Sequence, residues 1–146
     1  VRVINAGVSG DTSAGGRARL DWVLADKPDM VIVELGANDA LRGLAPAETE
    51  ANLDAVLAVL TARGIAVLLT GMLAPPNLGA DYGREFRAVF AALAAKHAVA
   101  FYPFFLDGVA AQPVLNQNDG IHPNAHGVAE IVARITPYVR RAIEPE

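Results

Sequence analysis

The run Met30-Val31-Ile32-Val33-Glu34-Leu35 leaves little choice of architecture. It is apolar almost throughout, without the polar alternation of a half-exposed strand, so a strand here must be covered on both faces. That is the signature of a parallel sheet layered between helices. The run ends at Gly36-Ala37-Asn38-Asp39, which places polar side chains at the C-terminal end of the strand.

The rest of the chain repeats this alternation. Val1 to Ile4 reads as a short strand running into the turn Asn5-Ala6-Gly7, followed by the loop Val8-Ser9-Gly10-Asp11-Thr12. Thr12 or Ser13 can cap a helix through about Ala25, with Leu20, Val23 and Leu24 on one face and a first turn weakened by Gly15 and Gly16. Pro46 opens a helix whose Leu53, Val56, Leu57 and Leu60 recur at helical spacing until Gly64. Ile65 to Thr70 is a second buried strand. Gly71 to Ala80, with Pro75, Pro76, Asn77 and Gly79, must be loop. Tyr82 to His97 is an amphipathic helix with Phe86, Val89, Phe90 and Leu93 inward, Val99 to Tyr102 a further strand, Pro103 to Asn118 loop with at most a helical turn, and Asn124 to Arg141 the closing helix. Such α/β sheets receive ligands beyond the C-terminal ends of their strands. Connectivity sends three polar clusters there: Ser9-Gly10-Asp11, Asn38-Asp39, and Asp119 with His122.

Whole-chain properties exclude several classes. The 146 residues suit one domain, 1–146, and 53% hydrophobic residues suffice for a core. A net charge of −4 with scattered arginines argues against a nucleic-acid partner. No cysteine is available for disulfides, thiolate catalysis or metal. The longest apolar region, Ala51 to Pro76, is cut by Asp54, Arg63 and Gly64, so no integral membrane segment is expected. Val1-Arg2-Val3-Ile4-Asn5 does not resemble a signal peptide.

The hexapeptide Asp119-Gly120-Ile121-His122-Pro123-Asn124 places a carboxylate three residues before a histidine. Proline after His122 suits the first position of a helix, which would make His122 the N-cap and put Asp119 in the turn before it. There the carboxylate can fold back onto one imidazole nitrogen, fix the tautomer, and leave the other nitrogen to accept a proton from a nucleophile. The same residues also suit a helix-starting loop with no chemistry. His122 and His126 stand at the i, i+4 spacing of zinc ligands, but Pro123 takes His122 off the helix face and no glutamate follows it, so no metal is expected. His97, at a helix end, reads as a partner of the helix dipole.

Three segments resemble conserved blocks of the SGNH hydrolases, the GDSL-type esterases and lipases: VINAGVSGDT, VIVELGAND followed by ALRG, and DGIHPN. They are most similar to those of bacterial arylesterases and thioesterase/lysophospholipases. The resemblance implies a flavodoxin-like three-layer α/β/α fold. It implies Gly10 N–H and the Asn38 amide as oxyanion-hole donors, His122 as general base and Asp119 as its orienting partner, with no cofactor. The family's first block, the strand ending in Gly-Asp-Ser, should precede Gly10 by some thirty residues, whereas only nine precede it here. Ser9, Thr12 and Ser13 do not match that block, so no nucleophile is assigned within the chain. The implied sheet order is 2-1-3-4-5, in which the absent first strand is central. The expectation is thus a single SGNH-like domain incomplete at its N-terminus, folding poorly and inactive by itself.

For the full-length protein, the resemblance implies a carboxylic ester hydrolase using a Ser-His-Asp triad whose serine lies upstream. Its substrates would be small acyl esters, thioesters or lysophospholipids, and its location periplasmic or secreted. The alternative is a catalytically dead or binding-only domain. Leu41, Leu44, Met72, Leu73 and Leu78 are candidate acyl-chain contacts, being apolar loop residues beside strand ends.

Overall fold

The computed structural model describes residues 1–144. Its centre is a three-stranded parallel sheet of β1 (Met30–Val33), β2 (Ala66–Thr70) and β3 (Ala100–Tyr102), in the order β1-β2-β3. Met30 stands opposite Ala66 and Leu68 opposite Ala100, so the C-terminal ends of all three strands lie on one side of the molecule. Among the described residues six α-helices accompany them: α1 (Ser13–Ala18), α2 (Leu20–Leu24), α3 (Ala37–Leu41), α4 (Pro46–Ala62), α5 (Ala80–His97) and α6 (Ala125–Ile143).

Strand alternation sends successive side chains to opposite faces, and the packing follows it. Val33, Val67 and Leu69 face α4 and α5, where Leu53, Leu57, Leu60, Phe86 and Phe90 are almost fully buried. Phe86 meets Phe90 edge to face with ring centres 5.2 Å apart. Burial of each such side chain contributes about 1.5–3 kcal/mol. Leu68 and Tyr102 face the other way, against Ile135 of α6. Helices therefore cover both faces, as the apolar strands required.

The helix starts follow from local chemistry. Pro46 occupies the first turn of α4, where its missing N–H costs no helical bond. Asn124 caps α6, its side-chain oxygen accepting from the N–H groups of His126 and Gly127. This corrects the placing of His122 at the N-cap: Asn124 satisfies two free donors at once, so the helix begins after it, and Pro123 instead bridges to Asn116.

Two further expectations change. The helix from Thr12 to about Ala25 is broken at Arg19, whose φ of −102° and ψ of 9° interrupt it between α1 and α2. Arg19 turns to bond Asp11 and the carbonyl of Ala6, and Gly15 and Gly16 leave α1 with weak propensity to continue. Val1 to Ile4 forms no strand, and Val1 and Val3 are fully exposed. A strand needs a partner, and none of the described residues pairs with this segment. Among the described residues one edge of β1 is correspondingly unpaired, and its Ile32 is 46% exposed on the face that α6 only partly covers.

Candidate active site

The loop before α1 and the turn after β1 are fastened to each other. Gly10 adopts φ +77°, a left-handed conformation that glycine reaches without strain, and no atom crowds its α-carbon. Among the described residues, its N–H has no acceptor. Asn38, in the first turn of α3, donates its side-chain amide to the carbonyl of Asp11 at 2.9 Å. That bond uses one amide hydrogen and leaves the other directed elsewhere. Arg42 adds a bond to the Gly10 carbonyl at 3.0 Å. Gly36, at φ +111° and packed against Phe90 and Thr49, makes the bend that carries the chain from β1 into this turn.

Beneath this pair lies a network that the sequence reading missed. Asp39 is buried, and its carboxylate accepts from the Ser13 N–H at 2.8 Å, from the Ser13 hydroxyl, and from the Thr49 hydroxyl at 3.2 Å. Asn52 donates to the Ser13 oxygen at 3.2 Å. The available signal was a polar Thr49 and Asn52, three residues apart on an otherwise inward-facing helix surface. The hydroxyl of Ser13 is thus fully occupied, and that of Thr12 accepts from the Gly15 N–H as the cap of α1.

Asp119 and His122 form the second pair. Asp119 Oδ1 accepts from the N–H groups of Ile121 and His122, both at 3.0 Å, and Oδ2 lies 2.7 Å from His122 Nδ1. The carboxylate thus folds back onto the ring. These bonds, the His122 N–H first, then the His122 ring and the Ile121 N–H, lower the Asp119 pKa to about 2. Asp119 is therefore an anion that holds Nδ1 as a donor, and Nε2 has no partner among the described residues. Both side chains are exposed. The surrounding loop is tied to itself: Gln117 N–H donates to the His122 carbonyl at 2.7 Å, Gln117 Nε2 to Pro123, and Asn124 to Val114, Leu115 and Asn116.

Asn38 follows β1, with the Gly10 loop tied to it, and the Asp119–His122 pair follows β3, so both pairs belong to the C-terminal side of the sheet; no hydrogen bond joins them among the described residues. Of the candidate acyl contacts, Leu41 and Leu73 are exposed, while Leu44 and Leu78 are half-buried. Leu78 approaches Gly43, which brings the loop after α3 against the loop after β2. Met72 is different. It is buried in the core between the sheet and α4–α5, because the chain leaving β2 keeps this apolar side chain packed inward, and so it does not line an open groove. His97 is not merely a dipole partner: its Nε2 lies 2.6 Å from Asp54 and ties α5 to α4.

A parallel α/β sheet with these two pairs at its strand ends has close counterparts. The GDSL-like Lipase/Acylhydrolase family matches residues 1–129. The chain is 45% identical over 140 residues to the esterase TesA of Pseudomonas aeruginosa, covering 95% of this chain and 70% of that one. It is 43% identical over 123 residues to thioesterase 1/protease 1/lysophospholipase L1 of Escherichia coli K12, covering 84% and 59%. The crystal structure of AlinE4, an SGNH-hydrolase family esterase, matches with a TM-score of 0.79 at 51% identity, over 98% of this chain and 77% of that one. The chain belongs to the GDSL-like lipase/acylhydrolase family, and the full-length protein is a hydrolase of this type.

Proposed function

We propose that residues 1–146 are the larger part of one SGNH-type domain, supplying the acid-base and oxyanion-stabilising groups of a serine ester hydrolase. The reading is carried by the Asp119–His122 contact, which fixes the tautomer and leaves Nε2 free. In this mechanism a serine N-terminal to Val1 attacks the carbonyl carbon of an ester or thioester as Nε2 of His122 takes its proton. The tetrahedral intermediate collapses, and the imidazolium returns that proton to the leaving alcohol or thiol. Water, activated by the same nitrogen, then releases the acid. Gly10 N–H, the second amide hydrogen of Asn38 and the serine's own N–H receive the oxyanion. The engagement of Ser13 with Asp39 and of Thr12 with Gly15 supports a nucleophile outside the chain, as does the edge of β1 that is unpaired among the described residues.

Substrates in this reading are small acyl esters, thioesters or lysophospholipids, in line with the names of the relatives, with Leu41, Leu44, Leu73 and Leu78 beside the acyl chain. A periplasmic or secreted location goes with it; among the described residues no helix is long and apolar enough to cross a membrane. The test is hydrolysis of p-nitrophenyl butyrate by the full-length protein and its His122→Ala variant. Loss of turnover with an unchanged circular dichroism spectrum is expected. Turnover retained in the variant would remove His122 from the mechanism.

A further inference from the structure

We propose that Asp39 is a positioning residue, a buried carboxylate that sets the separation between Gly10 and Asn38 and so builds the oxyanion hole before substrate arrives; this rests on the function proposed above. Asp39 directly follows Asn38 in the first turn of α3, so whatever holds its side chain holds the amide donor beside it. Both of its oxygens reach across to Ser13, three residues after Gly10, where they accept the first free N–H of α1 and the Ser13 hydroxyl. Two segments 26 residues apart in sequence are thereby clamped by one side chain. The Asn38 bond to the Asp11 carbonyl and the Arg42 bond to the Gly10 carbonyl bring the same two segments into register from the outside.

Burial makes this clamp stiff. Asp39 and Ser13 are both almost completely excluded from solvent, so neither water nor a rotated side chain can replace a lost bond at no cost. The third partner, Thr49, lies on α4 and anchors the carboxylate to the core without touching the Gly10 loop. Thr49 and Ser13 are therefore equivalent in chemistry and burial but different in what they connect.

That difference supplies the test. In the full-length esterase, Ser13→Ala and Thr49→Val each delete one buried hydroxyl bonded to Asp39 Oδ1. Positioning by Asp39 requires that Ser13→Ala lower kcat for p-nitrophenyl butyrate by about 5–10-fold and that Asp39→Ala lower it by about 10²-fold, because a displaced donor forfeits most of its effect on the transition state. KM should change by less than about threefold in each, since the uncharged ground-state carbonyl gains little from the donors. Thr49→Val should keep wild-type kcat at a matched loss of Tm, and Asp39→Asn, which can still accept the Ser13 N–H, should recover most of the Asp39→Ala loss. If Ser13→Ala and Thr49→Val show equal kcat at equal loss of Tm, Asp39 is only structural and the inference is overturned. That comparison stands even where Asp39→Ala does not fold. His122→Ala, assayed alongside, separates the two levels: turnover surviving in it overturns the proposed mechanism, whereas its loss together with equal kcat in the hydroxyl variants overturns only the role of Asp39.

Discussion

The side-chain amide of Asn38 reaches the backbone carbonyl of Asp11 at 2.9 Å, so the candidate oxyanion donor is already oriented. An amide held by one hydrogen presents the other in a fixed direction, and fixed donors need no reorganisation as charge develops. Asn38→Ala in the full-length esterase should therefore lower kcat by about 10²–10³-fold while KM changes little. A change confined to KM would assign Asn38 to ground-state binding instead.

The ionised state of Asp119 carries a pH signature. Its pKa is lowered to about 2 by the folded turn, against an unfolded value of about 3.9. A depressed carboxylate stabilises the fold above the unfolded pKa, and that contribution disappears as pH falls through the folded one. The side-chain carboxyl carbon resonance of Asp119 should show its carboxyl protonation step centred at about pH 2. A protonation step of that carboxyl centred at about pH 4, the ordinary value, would show that the turn is not held by this carboxylate.

Charge at Asp119 matters separately from the shape of the turn. Asp119→Asn keeps an oxygen for the two backbone N–H groups but presents an NH₂ to His122 Nδ1, which favours the tautomer with its hydrogen on Nε2. Turnover should drop by about 10³–10⁴-fold with the turn intact, the cost of a wrong tautomer in a triad of this kind. Amide spectra outside residues 117–124 should be unchanged, and turnover within tenfold of wild type would contradict the role.

Gly127 is buried in the first turns of α6, where a β-carbon would collide with the backbone carbonyl of Leu115 and press on Pro123 and Val109. Backbone cannot swing aside as a side chain can. Gly127→Ala should destabilise by about 1–3 kcal/mol, lowering Tm by roughly 2–12 °C, and should disturb the Asp119–His122 loop that the Leu115 carbonyl helps to hold. Calorimetry showing an unchanged Tm would mean that α6 can shift without cost.

In residues 1–146 taken alone, the edge of β1 that is unpaired among the described residues should make the polypeptide associate with itself. Unpaired N–H and C=O groups beside an exposed Ile32 offer a template for another strand. Concentration-dependent oligomers are expected in sedimentation velocity, and Ile32→Lys should reduce them. Equal association in the variant would place the sticky surface elsewhere.

Most of the sheet and the long helices were legible in the sequence because each carries a periodic or continuous apolar pattern, as in Met30–Val33 and in Phe86, Val89, Phe90 and Leu93 of α5. Val1–Ile4 shows the limit of such patterns: β-branched residues favour a strand, but a strand is made by its neighbour. The Asp119–His122 contact was legible because three residues of chain bring the groups together locally. Asp39 was not, since its partners Ser13 and Thr49 are distant in sequence and each looks like an ordinary helix-start or surface residue. Met72 was misplaced for a related reason, because an apolar residue just past a strand end looks the same whether it faces a groove or the core.

The loop that carries Asp119 and His122 fastens mainly to itself and to the cap of α6, through Gln117, Asn124 and the Asn116–Pro123 bridge. Its internal shape is therefore a property of one contiguous segment, residues 109–127. What the remainder of the domain contributes is aim, the direction in which Nε2 is presented. A cassette of this kind can be exchanged between relatives by recombination at its ends without remaking the dyad. Grafting residues 109–127 onto another member of the family should therefore preserve the imidazole's tautomer even where it fails to preserve the rate.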